Sequence, residues 1–212
     1  MAVTSEPVTM LGSRVLEMLI EDVILSGRLK DTRPISLILM AEPGLGKSEI
    51  VMQYRDAPGV MVCNEMTFSR LVSFYGMDII QGRLRHLIFP DIAPIVNRSP
   101  REAAMRELSC FGAMIAEGVT KWETRNTAMA AQVPIQCGVI FCITRYSFME
   151  KLRILGDEGF LSRFLIASFG HDAELVQYIH SKIADGTSNG SIELKPIPFV
   201  KDPVAVTVPV RV

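Results

Sequence analysis

Apolar residues recur along this chain in two rhythms, one helical and one strand-like, and the two take turns. Residues 10–30 place Leu11, Val15, Met18, Leu19, Val23 and Ile24 on one face at helical spacing, and Gly27 with Pro34 marks the exit. ISLILMA at 35–41 then forms an unbroken apolar run, predicting a buried strand. A helix follows over EIVMQYR, ending near Pro58, and GVMVCNE at 59–65 predicts a second strand. TFSRLVSFYGMDII predicts a helix as far as Gly76, RHLIFPDI at 85–92 a third strand, and residues 100–118 a long helix opened by proline and closed by Gly118. KWETRNTAMAAQVP has no clear period. GVIFCIT at 138–144 and RFLIASF at 163–169 predict a fourth and a fifth strand, with a short helix around FMEKLRIL between them.

Five apolar strands separated by helices predict an α/β fold in three layers, with a mainly parallel five-stranded sheet covered on both faces. Right-handed crossovers would bring every strand's carboxyl end to one edge, which is where such sheets bind ligands. The core is expected over residues 1–170, with 1–34 as amino-terminal helix and linker. Residues 171–212 read as a further helix and an extended tail with four prolines. Proline cannot donate to a central ladder, so that tail is β-like: an edge strand, a hairpin, or an arm toward another subunit.

Composition narrows the classes. With 49% hydrophobic residues in 212, the chain can bury a substantial core. Its 22 basic and 23 acidic side chains leave a net charge of −1, so no overall positive field advertises nucleic acid. The start of the chain lacks the charged-then-apolar order of a signal peptide, and no apolar run reaches the ~18 residues that span a bilayer. A cytoplasmic protein without membrane contact is the expectation. Cys63, Cys110, Cys137 and Cys142 form no C-x-x-C pair and read as reduced core thiols. His86, His171 and His180 read as surface or strand-end residues.

Where the first strand meets its helix stands Ala41-Glu42-Pro43-Gly44-Leu45-Gly46-Lys47-Ser48-Glu49. This matches the phosphate-loop pattern G-x-x-x-x-G-K-[ST] except for alanine at its first position. In such a loop glycines let backbone N–H groups face a β-phosphate, the lysine reaches the β and γ oxygens, and the hydroxyl ligates magnesium. The alternative is an ordinary glycine-rich turn with a solvated lysine. A site of this kind also needs a carboxylate at the end of a neighbouring apolar strand, and Asp91 in HLIFPD supplies it.

The order of phosphate loop, Asp-terminated strand, polar-ended strand and GFLSRF resembles the AAA+ ATPases, including ring helicases and phage-encoded members, over roughly residues 10–170. The resemblance implies ATP and Mg2+ as cofactors, a polar residue at the end of the fourth strand that positions water (Thr144 or Arg145), and an arginine that reaches a neighbouring subunit's γ-phosphate (Arg163). It also implies self-association into a ring. A loop toward the pore would lie at TKWETRN, where Lys121, Trp122 and Arg125 combine charge with a stacking surface suited to single-stranded nucleic acid. The chain departs from the pattern in following Asp91 with Ile92 instead of glutamate. Recombinase-type ATPases carry that glutamate after the strand that follows the phosphate loop, where this chain has Glu65, and Glu42 stands behind it as a second candidate. The stretch after the fifth strand is too short for the usual helical lid. Two rivals stay open: a nucleotide-binding switch or scaffold without turnover, and a small-molecule kinase.

Overall fold

The computed structural model of the chain describes residues 14–124, 127–156 and 159–170. They form α1 (Arg14–Ser26), β1 (Leu37–Ala41), α2 (Lys47–Met52), β2 (Val60–Val62), α3 (Phe68–Ile80), β3 (His86–Phe89), α4 (Ala93–Val96), α5 (Arg101–Ala116), β4 (Val119–Thr124), β5 (Thr127–Ile135), β6 (Gly138–Thr144), α6 (Arg145–Glu150), α7 (Leu152–Gly156) and β7 (Leu165–Ser168). A 3-10 turn at Leu161–Arg163 precedes β7. The predicted helix after His171, the proline-rich tail and Arg125 lie outside the described residues.

Five strands build one sheet in the order β2, β3, β6, β1, β7, every neighbouring pair parallel. Side chains alternate across it. Leu37, Leu39, Ile88, Ile140 and Cys142 face a layer made by α1 and α2, while Ile38, Phe89, Val139, Phe141 and Ile143 face α3, α5 and α6. This is a three-layer α/β sandwich. The second layer is organised by aromatic rings: Phe111 meets Phe68, Phe89 and Phe141 edge-on, and Phe141 continues to Phe160 and Phe164. Each large side chain buried this way contributes about 2 kcal/mol of transfer free energy. Among the described residues no helix is long and apolar enough to cross a membrane.

Three elements differ from the sequence reading. In α1 the buried face is Leu16, Ile20, Val23 and Ile24, while Val15 and Met18 are exposed. VLEMLIEDVIL is apolar around most of its circumference, so two stripes competed for the core and periodicity alone did not choose between them. In α3 the helix runs through Gly76 to Ile80. A side chain at Gly76 would meet Ile135 of β5 at 3.0 Å, so this glycine admits a packing neighbour and does not end the helix. The stretch without period forms the antiparallel hairpin β4 and β5, a separate two-stranded sheet packed on α3. Such a hairpin needs no apolar alternation on its outer face, and Pro134 is tolerated there because no third strand among the described residues pairs with it.

At the amino end of the sheet, polar groups pin the layers. Ser26 Oγ accepts the Ile35 N–H at 2.8 Å, and Ser36 Oγ accepts the Val139 N–H at 3.0 Å. His86 opens β3 fully buried, its ring filling the space that side chains at Gly27 and Gly138 would occupy. Its Nε2 donates to the Ile35 carbonyl at 3.1 Å. Nδ1 has no partner among the described residues, and burial pushes the imidazole down to about 4.

Candidate functional site

The phosphate-loop sequence sits at the corner where central strand β1 gives way to α2. Gly44 and Gly46 both take left-handed φ angles, 79° and 77°, a region that a β-carbon disfavours. Left-handed residues set between right-handed ones are the backbone state in which successive N–H groups can face one side. Glu42, Pro43 and Gly44 are exposed, Leu45 to Ser48 are half-buried, and Glu49 is exposed on the first turn of α2. Lys47 folds back over the loop, its Nζ donating to the Glu42 carbonyl at 3.2 Å. Ala41 is buried in the ladder, paired with Thr144 of β6, so its methyl faces packed protein and leaves the loop's geometry to the later glycines.

The acid strand comes to the same corner although β6 separates it from β1 in the sheet. Ser48 Oγ donates to the carbonyl of Pro90, the residue before Asp91, at 3.4 Å. Beneath them lies Cys142 of β6, whose thiol burial drives up to about 12, with the Lys47 ammonium pulling it down and the Asp91 carboxylate pushing it up. Both charges are thus near enough to act on that thiol. Asp91 is exposed and its Oδ1 accepts the Ala93 N–H at 2.8 Å in the turn that enters α4. A serine hydroxyl and a carboxylate are hard oxygen donors that suit magnesium, an ion that keeps several waters and shares the rest of its shell with phosphates.

Thr144 ends β6 beside Ala41 and also caps α6: its Oγ1 accepts the Ser147 N–H at 3.1 Å and lies 2.8 Å from Ser147 Oγ. Arg145 opens α6, exposed. Glu65 is exposed beyond the end of β2, and that strand is the sheet's edge, on the far side of β3 from the loop. The Val62 to Ile88 register, continued outward, sets Glu65 level with Asp91 and one strand further from Lys47. Glu42 is nearer in the chain; its backbone carbonyl receives the lysine, and its side chain is exposed.

Arg163 stands elsewhere. β7 begins level with Leu37, so the length of β1, about 13 Å at 3.3 Å per residue, separates that level from Ala41, and Arg163 lies lower still. Its guanidinium rests on α5, in the space a side chain at Gly112 would take. It cannot touch its own phosphate loop. Trp122 is also turned away from solvent: its ring packs on Phe68 with centroids 4.8 Å apart, and it joins the core. Of the trio read as a strand-gripping surface, Lys121 alone is both described and exposed.

Sequence reasoning passed over Cys142, Ser147 and the Pro90 carbonyl. Spacing carries no signal for a backbone acceptor, and the two side chains acquire relevance only through the pairing of β1 with β6. It also missed Glu107 of α5, which accepts the Phe68 N–H at 2.7 Å and pairs with Arg98 at 3.4 Å. That network ties the acid strand's exit to the start of α3.

No protein-family model and no curated protein sequence matches the chain. Solved structures do. JCV helicase superposes with a TM-score of 0.44 at 14% identity, 84% of this chain covering 48% of that one. A protein from Cytophaga hutchinsonii, solved as a candidate ATPase, gives 0.44 at 14% identity, with 88% of this chain on 54% of that one. An inhibitor-bound JCV helicase gives 0.43 at 15% identity, with 82% on 46%. The chain thus spans about half the length of the structures it matches.

Proposed function

We propose that the chain is an ATP-binding, AAA+-like domain that hydrolyses ATP between subunits of a ring and acts on nucleic acid. The observation that supports it best is the corner itself: two left-handed glycines, Lys47 folded across them, and Ser48 bonded to the strand that ends in Asp91. In this reading the loop amides and Lys47 hold the β- and γ-phosphates, the lysine exchanging the Glu42 carbonyl for phosphate oxygens. Ser48 and Asp91 hold magnesium, which when bound neutralises phosphate charge. Thr144 orients water, giving up its contact with the Ser147 hydroxyl, and Glu65 takes the proton. Arg163 serves a neighbouring copy, since guanidinium stays charged and suits the spread charge of a transferring phosphoryl group. Of the Lys121, Trp122 and Arg125 trio, Lys121 is the exposed, described cation that a nucleic-acid strand would meet.

The switch without turnover has its own support. Ile92, where the usual glutamate would stand, is buried in the core, and Glu65 sits across β3 from the loop. Calorimetry with ATP and magnesium, followed by phosphate release at rising protein concentration with and without single-stranded DNA, separates the two. Binding with release that grows faster than concentration supports the motor; binding without release supports the switch; no heat with any purine nucleotide refutes both. Mixing Lys47→Ala with Arg163→Ala tests the arginine, because partial recovery of activity requires one copy to complete another's site.

A further inference from the structure

β7 is the outermost strand beside β1, and among the described residues no strand pairs with its far side. The Leu165 N–H donates to the Ser36 carbonyl at 2.9 Å, and the Phe169 N–H to the Met40 carbonyl at 3.0 Å. Backbone groups alternate in direction along a strand, so residues 165, 167 and 169 turn theirs toward β1 while the N–H groups of Ile166 and Ser168 face the open edge. The usual guards of an edge are missing: Leu165–Ser168 contains neither charge nor proline. Leu165 and Ile166, on opposite faces, are 48% and 47% exposed. An apolar edge of this kind is a template for one more strand.

We propose that residues 204–212 of this same chain, which lie outside the described residues, close that edge as a further strand of the sheet. Valine stands there at every second position, Val204, Val206, Val208, Val210 and Val212, the alternation of a half-buried strand. Pro209 belongs to the other set, with Ala205, Thr207 and Arg211, and proline is admitted only where its missing N–H faces away from the ladder. Its position therefore fixes the sense: the valines turn their N–H groups toward β7, and Pro209 sits on the new outer edge. The valine side chains fall beside Leu165 where the segment runs parallel to β7 and beside Ile166 where it runs antiparallel, and either exposed residue gains apolar cover. A parallel return needs a connection of about a dozen residues, which residues 171–203 exceed. The same tether holds the segment at a local concentration on the order of millimolar, so a second copy at lower concentration does not compete for the edge. Another β7 would in any case offer only Ile166 and Ser168 in return.

Amide hydrogen exchange of the full chain, read residue by residue by NMR, tests this. Expected is protection of the Ile166 and Ser168 amides by about tenfold or more over an unstructured peptide, unchanged on dilution. Val206→Pro removes an N–H from the inward set and should return both amides toward free exchange. Thr207→Pro, one residue on, removes an N–H from the outward set and should leave them protected. Protection along β1 in the same spectra reports that each variant keeps its fold. Free exchange at Ile166 and Ser168 in the wild type, the two variants behaving alike, or protection that falls with dilution because another copy covers the edge overturns the proposal. No sample contains nucleotide, so the outcome stands apart from the reading of the phosphate loop.

Discussion

Replacing His86 with glutamine isolates one buried titration. The ring sits in the space above Gly27 and Gly138, donates from Nε2 to the Ile35 carbonyl, and leaves Nδ1 without a partner among the described residues. Burial is the main reason its affinity for a second proton drops to about 4 from 6.5; the Ile35 bond opposes the shift, and the Arg28 and Arg85 charges add to it. An unfolded chain binds that proton below pH 6.5 and the native one does not until about 4, so stability falls with falling pH across this window. The slope is about 1.4 kcal/mol per pH unit. Going from pH 6.5 to 5 therefore removes about 2 kcal/mol, and the whole window about 3 kcal/mol. Glutamine keeps an N–H for the Ile35 carbonyl and never charges. Urea unfolding at pH 7, 6 and 5 should show the wild type losing about 2 kcal/mol more than His86→Gln, after carboxylate effects common to both cancel. Parallel stability curves, or an NMR titration of His86 near its ordinary value, refute the reasoning.

Lys47→Ala should weaken ATP binding about 10- to 100-fold, the worth of a charge-assisted hydrogen bond, while leaving the unfolding midpoint in place because the ammonium's visible partner is one loop carbonyl; calorimetry and urea melts check both halves. Asp91→Asn should abolish the part of nucleotide affinity that depends on magnesium, measured as binding with and without chelator, and preserve the turn into α4, since an amide oxygen still accepts the Ala93 N–H. Trp122→Ala should destabilise the chain by about 3 kcal/mol by opening a hole against Phe68, whereas Trp122→Phe should leave any single-stranded DNA affinity unchanged, read by fluorescence anisotropy of labelled DNA. Loss of that affinity in Trp122→Phe would restore the indole as a stacking surface.

The five strands and the loop were legible because their signals are local: apolar runs of four to seven residues, and a glycine pattern that only a tight corner needs. The layer that each α1 stripe faces was not, because Val15 and Met18 are as apolar as Leu16 and Ile20 and only the neighbouring sheet selects. Gly76 misled because glycine that admits a close neighbour looks the same in sequence as glycine that ends a helix. The hairpin was illegible for a related reason: Ala128, Ala130 and Ala131 are too small to mark alternation, and the surface that β5 packs on is supplied by α3. Within the candidate site, residues that meet through one chain segment were readable, and those that meet through strand order were not. Glu65 shows the difference. Its position at a strand end fits a base, but β2 lies at the sheet's edge, a fact contained in the pairing of β3 with β6 and in no stretch of the sequence.

Gly112 gives the resting place of Arg163 a control point remote from any ligand. A glycine inside a 16-residue helix costs about 1 kcal/mol relative to alanine, yet the notch it leaves is where the guanidinium lies down. Filling that notch with a methyl group would firm the helix and evict the arginine at once. The readiness of that side chain to leave its own subunit is thus adjustable by a methyl group on a helix that meets no phosphate.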